Sequence, residues 1–237
     1  MNRDEKDQVP LVAELIGWIA FVLFVGSVWK VRQTLDRRPR ETDLVSSAGG
    51  TLLRATWLIL PVVLGGLGHV AVLKTNVLSS LAVPVDNGAC WRGRRLFGAN
   101  KTWRGVVLMT GLTALTSGAQ AALARRNHWA SAQQSARVNA WLTGALCGLT
   151  YCLAELPNSF VKRQLGIEPG ARGTRASRLQ YVVDQADSVA GCLVALRLLY
   201  RAAASELLTA FALGLTIHIG IDQLIYAIGI KSRRLRG

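Results

Sequence analysis

The sequence predicts an all-α, polytopic membrane protein of about six transmembrane helices: an N-terminal anchor helix, a five-helix core and two polar cytoplasmic loops. Three observations lead there. Of the 237 residues, 51% are hydrophobic, and the mean hydropathy is +0.29, above what a soluble domain of this length carries. Six stretches are long and apolar enough to span a hydrocarbon core of about 30 Å at about 1.5 Å per residue. The 28 Lys and Arg against 14 Asp and Glu give a formal charge of +14. In a soluble chain that excess would suggest nucleic acid. Here the basic residues collect between apolar runs, as in loops facing anionic lipid, so no nucleic-acid partner is expected.

The six predicted spans cover residues 11–29, 55–73, 105–124, 138–156, 181–200 and 207–230. The first is no signal peptide: its leader mixes Arg3 and Lys6 with Asp4, Glu5 and Asp7, and Trp29 and Lys30 stand where a small-residue cleavage site belongs. Residues 30–50 form a polar linker, dividing the chain into an anchor (1–50) and a membrane-embedded core (51–237). The third, fourth and fifth spans are rich in Gly, Ala, Ser and Thr, which lets helices approach closely, and are expected to pack innermost. Pro157, at the end of the fourth, is expected to kink it.

Six spans put the amino terminus, the loops at 74–104 and 161–180 and the carboxyl tail on one side. These carry 17 of the 28 basic residues, so the positive-inside rule places them in the cytoplasm. Cys90, Cys147, Cys152 and Cys192 show no ligand spacing and are expected to be structural thiols.

Ionisable groups at membrane depth are costly and mark function. Asp184 and Asp187 are three apart, so on a helix both carboxylates project from one face, with Ser188 one turn from Asp184. Two readings stand: a divalent cation holding both ionised, or acidic residues favoured at a helix N-terminus. Glu155, Asn158, Ser159 and Lys162 fall at i, i+3, i+4 and i+7, one polar helical stripe. Lys162 and Arg163 would face phosphate or snorkel to the interface. The twenty residues from Asp86 through Gly105 include five cations and four glycines. Such a loop either cradles a polyphosphate with its amides and charges or rests on anionic headgroups. GRRLFGANKT is not a P-loop, since two residues separate Gly98 from Lys101 and no strand precedes it.

The ordered motifs RRLFGANKTWRG, NSFVKRQLGI and VVDQADSV, between membrane spans, resemble those of the CDP-archaeol synthase family, relatives of the phosphatidate cytidylyltransferases. The similarity covers about residues 55 to 235. Asp86 and the run from Gly93 to Gly105 match the family's Asp followed by Gly-Arg-Arg-Ile-Phe-Gly-x-x-Lys-Thr-Trp-Arg-Gly. Ser159, Phe160, Lys162 and Arg163 match its Ser-Phe-Ile-Lys-Arg, while Asp184, Gln185 and Asp187 match its Asp-Gln-x-Asp. His218, before Gly229 and Lys231, resembles its closing helix. The chain departs from the family where Ala154, Glu155 and Asn158 stand in place of the Gly, Asp and Lys of its Gly-Asp-x-x-Lys before Ser-Phe; Asn158 removes a cation.

The resemblance implies transfer of CMP from CTP to a lipid phosphate, giving a CDP-activated lipid and pyrophosphate. It implies catalytic roles for Asp184, Asp187, Glu155 and Lys162, with Mg²⁺ as cofactor on Asp184, Asp187 and Glu155. Substrate contacts are implied for Asp86, Arg95, Gly98, Asn100, Lys101, Thr102, Arg104, Asn158, Ser159, Arg163, Gln185 and Ser188. The partners are CTP, a lipid phosphate and the bilayer, and a homodimer is left open. The rival functions are a CDP-alcohol phosphotransferase, whose Asp-Gly-x-x-Ala-Arg start Asp86 does not match, and an ion transporter using Asp184, Asp187, His218 and Asp222.

Overall fold

The computed structural model describes residues 48–73, 75, 77–126, 139–169, 177–200 and 202–227. The anchor expected at 11–29, its linker up to residue 47 and the side chain of Asp222 lie outside the described residues. Among the described residues five long helices are seen: α1 (Ala48–Leu73), α2 (Trp103–Arg126), α3 (Ala140–Gln164), α4 (Ser177–Tyr200) and α5 (Ala204–Ala227). Between α1 and α2 lie a 3-10 turn (Ser79–Leu81) and a small antiparallel hairpin, β1 (Cys90–Trp91) and β2 (Arg94–Arg95).

Helices adjacent in sequence pack side by side, and α5 returns to α1, so the five close into a ring. Stretches of α1, α2 and α5 (Thr51–Val72, Trp103–Arg126 and Ala204–Ile221) are long and apolar enough to cross a membrane. The six-span expectation is met only in part. The helices α3 and α4 have spanning length, but Asn158, Lys162, Arg163, Asp184, Asp187 and Arg197 lower their hydropathy. The burial pattern is that of a protein dissolved in lipid: Leu53, Leu115 and Leu208 are exposed, whereas Thr113, Ser117, Thr143 and Ser188 are buried.

The sequence explains how the helices meet. Gly144 and Gly148 lie one turn apart on α3, and a side chain at either would run into the α2 backbone; at Gly148 a Cβ would stand 2.6 Å from the Met109 carbonyl oxygen. On α4, Gly191 gives the same close approach to Thr150 and Ala154 of α3. The expected tight packing of small-residue helices is therefore present, with α3 between α2 and α4.

Pro61 interrupts the α1 hydrogen-bond ladder because it has no N–H for the Trp57 carbonyl, four residues back. Gln120 of α2 supplies the missing donor, at 2.8 Å from the Trp57 oxygen. That contact satisfies a backbone group that lipid could not. The helix α3 runs unbroken through Pro157 and ends with Gly166 in the left-handed region, φ +76°. There the Ile167 amide bonds the Lys162 carbonyl at 2.9 Å and the Gly166 amide bonds that of Arg163 at 3.0 Å, a Schellman stop.

The apolar core, including Ile59, Cys147, Cys192, Leu196, Leu199 and Ala210, lies toward the end where α1, α3 and α5 begin and α4 finishes. The polar loops lie at the other end, where α1, α3 and α5 finish and α2 and α4 begin.

Candidate active site

The 83–103 segment is tied at its base and clasped from within. The Val85 amide bonds the Lys101 carbonyl at 2.7 Å, and that of Trp103 bonds Val83 at 3.0 Å. At the tip of the hairpin Arg92 and Gly93 both have positive φ, 47° and 76°, the conformation a two-residue turn needs to follow strand twist. Inside, the Asp86 side chain has 0% exposure. Its carboxylate accepts from the amides of Gly88 (3.1 Å), Phe97 (3.0 Å) and Gly98 (2.9 Å) and pairs with the Arg95 guanidinium. Burial pushes this carboxyl up. The three amides and Arg95 outweigh that effect and hold it below its usual range.

The clasped loop docks on the end of α3. Arg94 donates to the Gln164 carbonyl, and Gln164 Nε2 approaches the Arg95 carbonyl at 3.5 Å. Gly98, with φ +98°, lies so close to Arg163 and Pro169 that a Cβ there would stand 3.2 Å from Arg163 Nη1 and 3.1 Å from Pro169 Cγ. Docking carries Lys101 onto the α3 stripe, where its ammonium pairs with Glu155.

One turn further along α3, Asn158 bridges the two carboxylates of α4. Its Nδ2 donates to Asp184 Oδ1 at 2.7 Å and to Asp187 Oδ2 at 2.8 Å. Lys162 Nζ reaches both Asp184 oxygens, at 3.0 and 2.7 Å. The Ser188 amide bonds Asp187 Oδ1 at 2.6 Å. The helix α4 begins at Ser177, so the two aspartates sit well inside it, and the helix N-terminus reading is excluded.

The predicted residues thus divide by location. Asp184, Asp187, Asn158, Lys162, Glu155 and Lys101 converge where α3, α4 and the loop meet. Arg163 is buried beside them, with Nε and Nη1 lacking a hydrogen-bond partner among the described residues. A desolvated guanidinium in that state suits an anionic ligand.

Several of the other residues expected to touch substrate are engaged by the protein itself. The Asp86 carboxylate, the Arg95 guanidinium and the Gly98 amide build the clasp. Thr102 Oγ1 caps α2 by accepting from the Gly105 amide at 3.2 Å. Arg104 donates to the carbonyls of Val72 (3.0 Å) and Thr75 (2.6 Å), closing the end of α1. Asn100 is exposed on the loop, Ser159 is buried in α3, and Ser188 is buried in α4.

Gln185 is buried, and its carbonyl receives His218 Nδ1 at 3.1 Å. The opposite ring nitrogen of His218 meets the Tyr151 hydroxyl at 3.0 Å. Sequence reading passed over Tyr151, although it continues the Glu155, Asn158 and Lys162 stripe one turn deeper and was findable on that ground.

Two carboxylates sharing one amide donor are a hard-oxygen pair of the kind Mg²⁺ uses together with water and substrate phosphates. Glu155 lies at the same junction, with its carboxylate paired to Lys101. No group of three or more His, Cys, Asp and Glu side chains suited to a metal occurs among the described residues. The donor chemistry therefore fits a two-carboxylate site.

A ring of lipid-exposed helices closing over acidic, basic and amide side chains at one end defines a membrane-embedded enzyme. Comparison with known proteins supports that class. A solved structure described as "Structural insight into an intramembrane enzyme for archaeal membrane lipids biosynthesis" superposes with a TM-score of 0.51 at 28% identity, over 73% of this chain and 94% of its own.

The family model for CarS-like CDP-archaeol synthase matches residues 50–234. The CDP-archaeol synthase of Methanosphaerula palustris is 35% identical over 167 residues, 62% of this chain and 87% of that protein. That of Halobacterium salinarum is 30% identical over 198 residues, 77% of this chain and 96% of its own. The chain belongs to the CDP-archaeol synthase family.

Proposed function

We propose that this protein transfers CMP from CTP to a lipid phosphate within the membrane, releasing pyrophosphate and a CDP-activated lipid. The observation that carries the reading is the junction of Asp184 and Asp187 with Asn158, Lys162, Lys101 and Arg163, whose Nε and Nη1 lack a partner among the described residues, in a chain of this family. An ion path would not gather Lys and Arg beside its carboxylates, and the motif of a CDP-alcohol phosphotransferase is missing.

The reaction needs charge neutralisation and alignment more than proton transfer, because a lipid phosphate is already ionised at neutral pH. An oxygen of the acceptor phosphate attacks the α-phosphorus of CTP, and the bond to the β-phosphate oxygen breaks. Arg163, Lys162 and Lys101 lie where they can balance the charge on the triphosphate and the departing pyrophosphate. Glu155 and Asp184 hold the two lysines in place until substrate arrives. Asp184 and Asp187 would hold Mg²⁺, which supplies Lewis-acid polarisation of phosphate oxygens when bound.

We place this end of the bundle at the cytoplasmic face of the cell membrane, on the side that carries 17 of the 28 basic residues. The relatives' names point to an isoprenoid ether-lipid phosphate as acceptor. The test is purified protein in detergent with labelled CTP, Mg²⁺ and a panel containing an ether-lipid phosphate and phosphatidate. Label should enter the lipid fraction only when a lipid phosphate is present; CTP consumption without any acceptor would oppose the reading.

A further inference from the structure

Beneath the carboxylate pair, three helices are joined by one hydrogen-bonded chain of side chains. Tyr151 of α3 meets His218 Nε2 of α5 at 3.0 Å, and His218 Nδ1 meets the backbone carbonyl of Gln185 in α4 at 3.1 Å. The Tyr151 and His218 rings stand edge to face, 6.1 Å between centroids and 81° between planes.

The direction of this chain follows from its last member. A carbonyl oxygen only accepts, so Nδ1 must carry the proton. In the neutral ring Nε2 is then an acceptor, and the Tyr151 hydroxyl donates to it. The order is Tyr151 O–H to Nε2, then Nδ1–H to Gln185.

Its placement matters more than its existence. Gln185 lies between Asp184 and Asp187 on the same turn of α4, so its carbonyl is a handle on the backbone that aims both carboxylates. Tyr151 lies on the α3 stripe of Glu155, Asn158 and Lys162, at i, i+4, i+7 and i+11. One end of the chain is therefore fixed to the helix bearing the donors, and the other to the helix bearing the acceptors. We infer that His218 is a positioning residue: through the Gln185 carbonyl it keeps the Asp184–Asp187 turn in register with Asn158 and Lys162.

Two substitutions separate this role from ordinary packing. His218→Asn keeps an amide N–H near the Nδ1 position and so retains the bond to Gln185, while losing Tyr151. His218→Gln reaches toward Tyr151 but gives up the α4 carbonyl. Holding the turn of α4 predicts that kcat falls about tenfold in His218→Gln and His218→Ala, stays within about threefold of the parent in His218→Asn, and leaves KM for CTP within about twofold in all three. Amide hydrogen exchange across 181–190 should rise in the Gln and Ala variants and stay near the parent rate in the Asn variant. Equal loss in the Asn and Gln variants, or better activity in the Gln variant, would overturn the positioning role.

The kinetic arm rests on the proposed cytidylyltransferase activity; the exchange arm does not. If the parent protein consumed no CTP with any lipid phosphate, that functional reading would fail, and the order of exchange rates would still decide whether His218 holds α4.

Discussion

Asp187 and Asp184 share one hydrogen-bond donor, Asn158, and that sharing shapes what each substitution at the site should do. Replacing Asp187 by Asn removes a charge but little volume, so the helices should stay packed while turnover falls at least about a hundredfold. Helix content by circular dichroism together with CTP turnover checks this; full activity in a folded Asp187→Asn protein would remove the pair from the chemistry. Lys101→Ala deletes a charged partner worth about 1.5 to 3 kcal/mol to a phosphate and leaves Glu155 without its ion pair. Steady-state kinetics should show a raised KM for CTP and a lowered kcat. A change confined to the lipid dependence would move Lys101 to the acceptor side. The two aspartates were legible because an i, i+3 spacing survives in any helix. The tasks of Asp86, Thr102 and Arg104 were not. A sequence gives a polar residue's type, but not whether its partner is a ligand or the protein's own backbone.

At the scale of elements, the loop between α1 and α2 is the piece most open to test. Glycines and cations suggested a phosphate cradle, yet Gly98 spends its amide on Asp86 and its missing side chain on contact with Arg163. The signal for the clasp was present in the Asp86 to Gly88 spacing, an i, i+2 pattern typical of turns closed by an aspartate side chain. Asp86→Asn should loosen the loop by about 1 to 3 kcal/mol, because buried amides and Arg95 lose a charged acceptor. Acid should act the same way. The folded carboxyl titrates below its unfolded value of about 3.9. The clasp is therefore at full strength above about pH 4 and is lost as pH falls through the lower folded value. Hydrogen exchange of residues 86–102 should stay slow from neutral pH down to about 4 and then accelerate beyond the chemical trend, while the Asn variant exchanges fast throughout.

For the whole molecule, alternation of spans and basic loops was enough to predict a bundle of apolar helices, and Arg94 and Gly98 of the 74–104 loop lie against the end of α3. Hydropathy was least informative for α3 and α4, because the helices that line the candidate site carry polar and charged side chains. We propose further that residues 1–50 are an anchor separable from the core, since the candidate site is built from residues after 51 and the family match begins at residue 50. Removing residues 1–45 should leave CTP turnover within about twofold and keep the loop at 74–104 cytoplasmic, because its basic residues still favour that side. Cysteine labelling at Asn76 and Ser177 from either side of the membrane reports the orientation, and an inverted or inactive core would refute the division. The most direct test of CMP transfer at the carboxylate pair is a paired stoichiometry: CTP labelled at the α-phosphate, purified protein, Mg²⁺ and lipid phosphate, with lipid-bound label and released pyrophosphate counted together. Equal amounts of both, abolished by Asp187→Asn, are expected. Pyrophosphate without labelled lipid, or undiminished transfer in that variant, would contradict it.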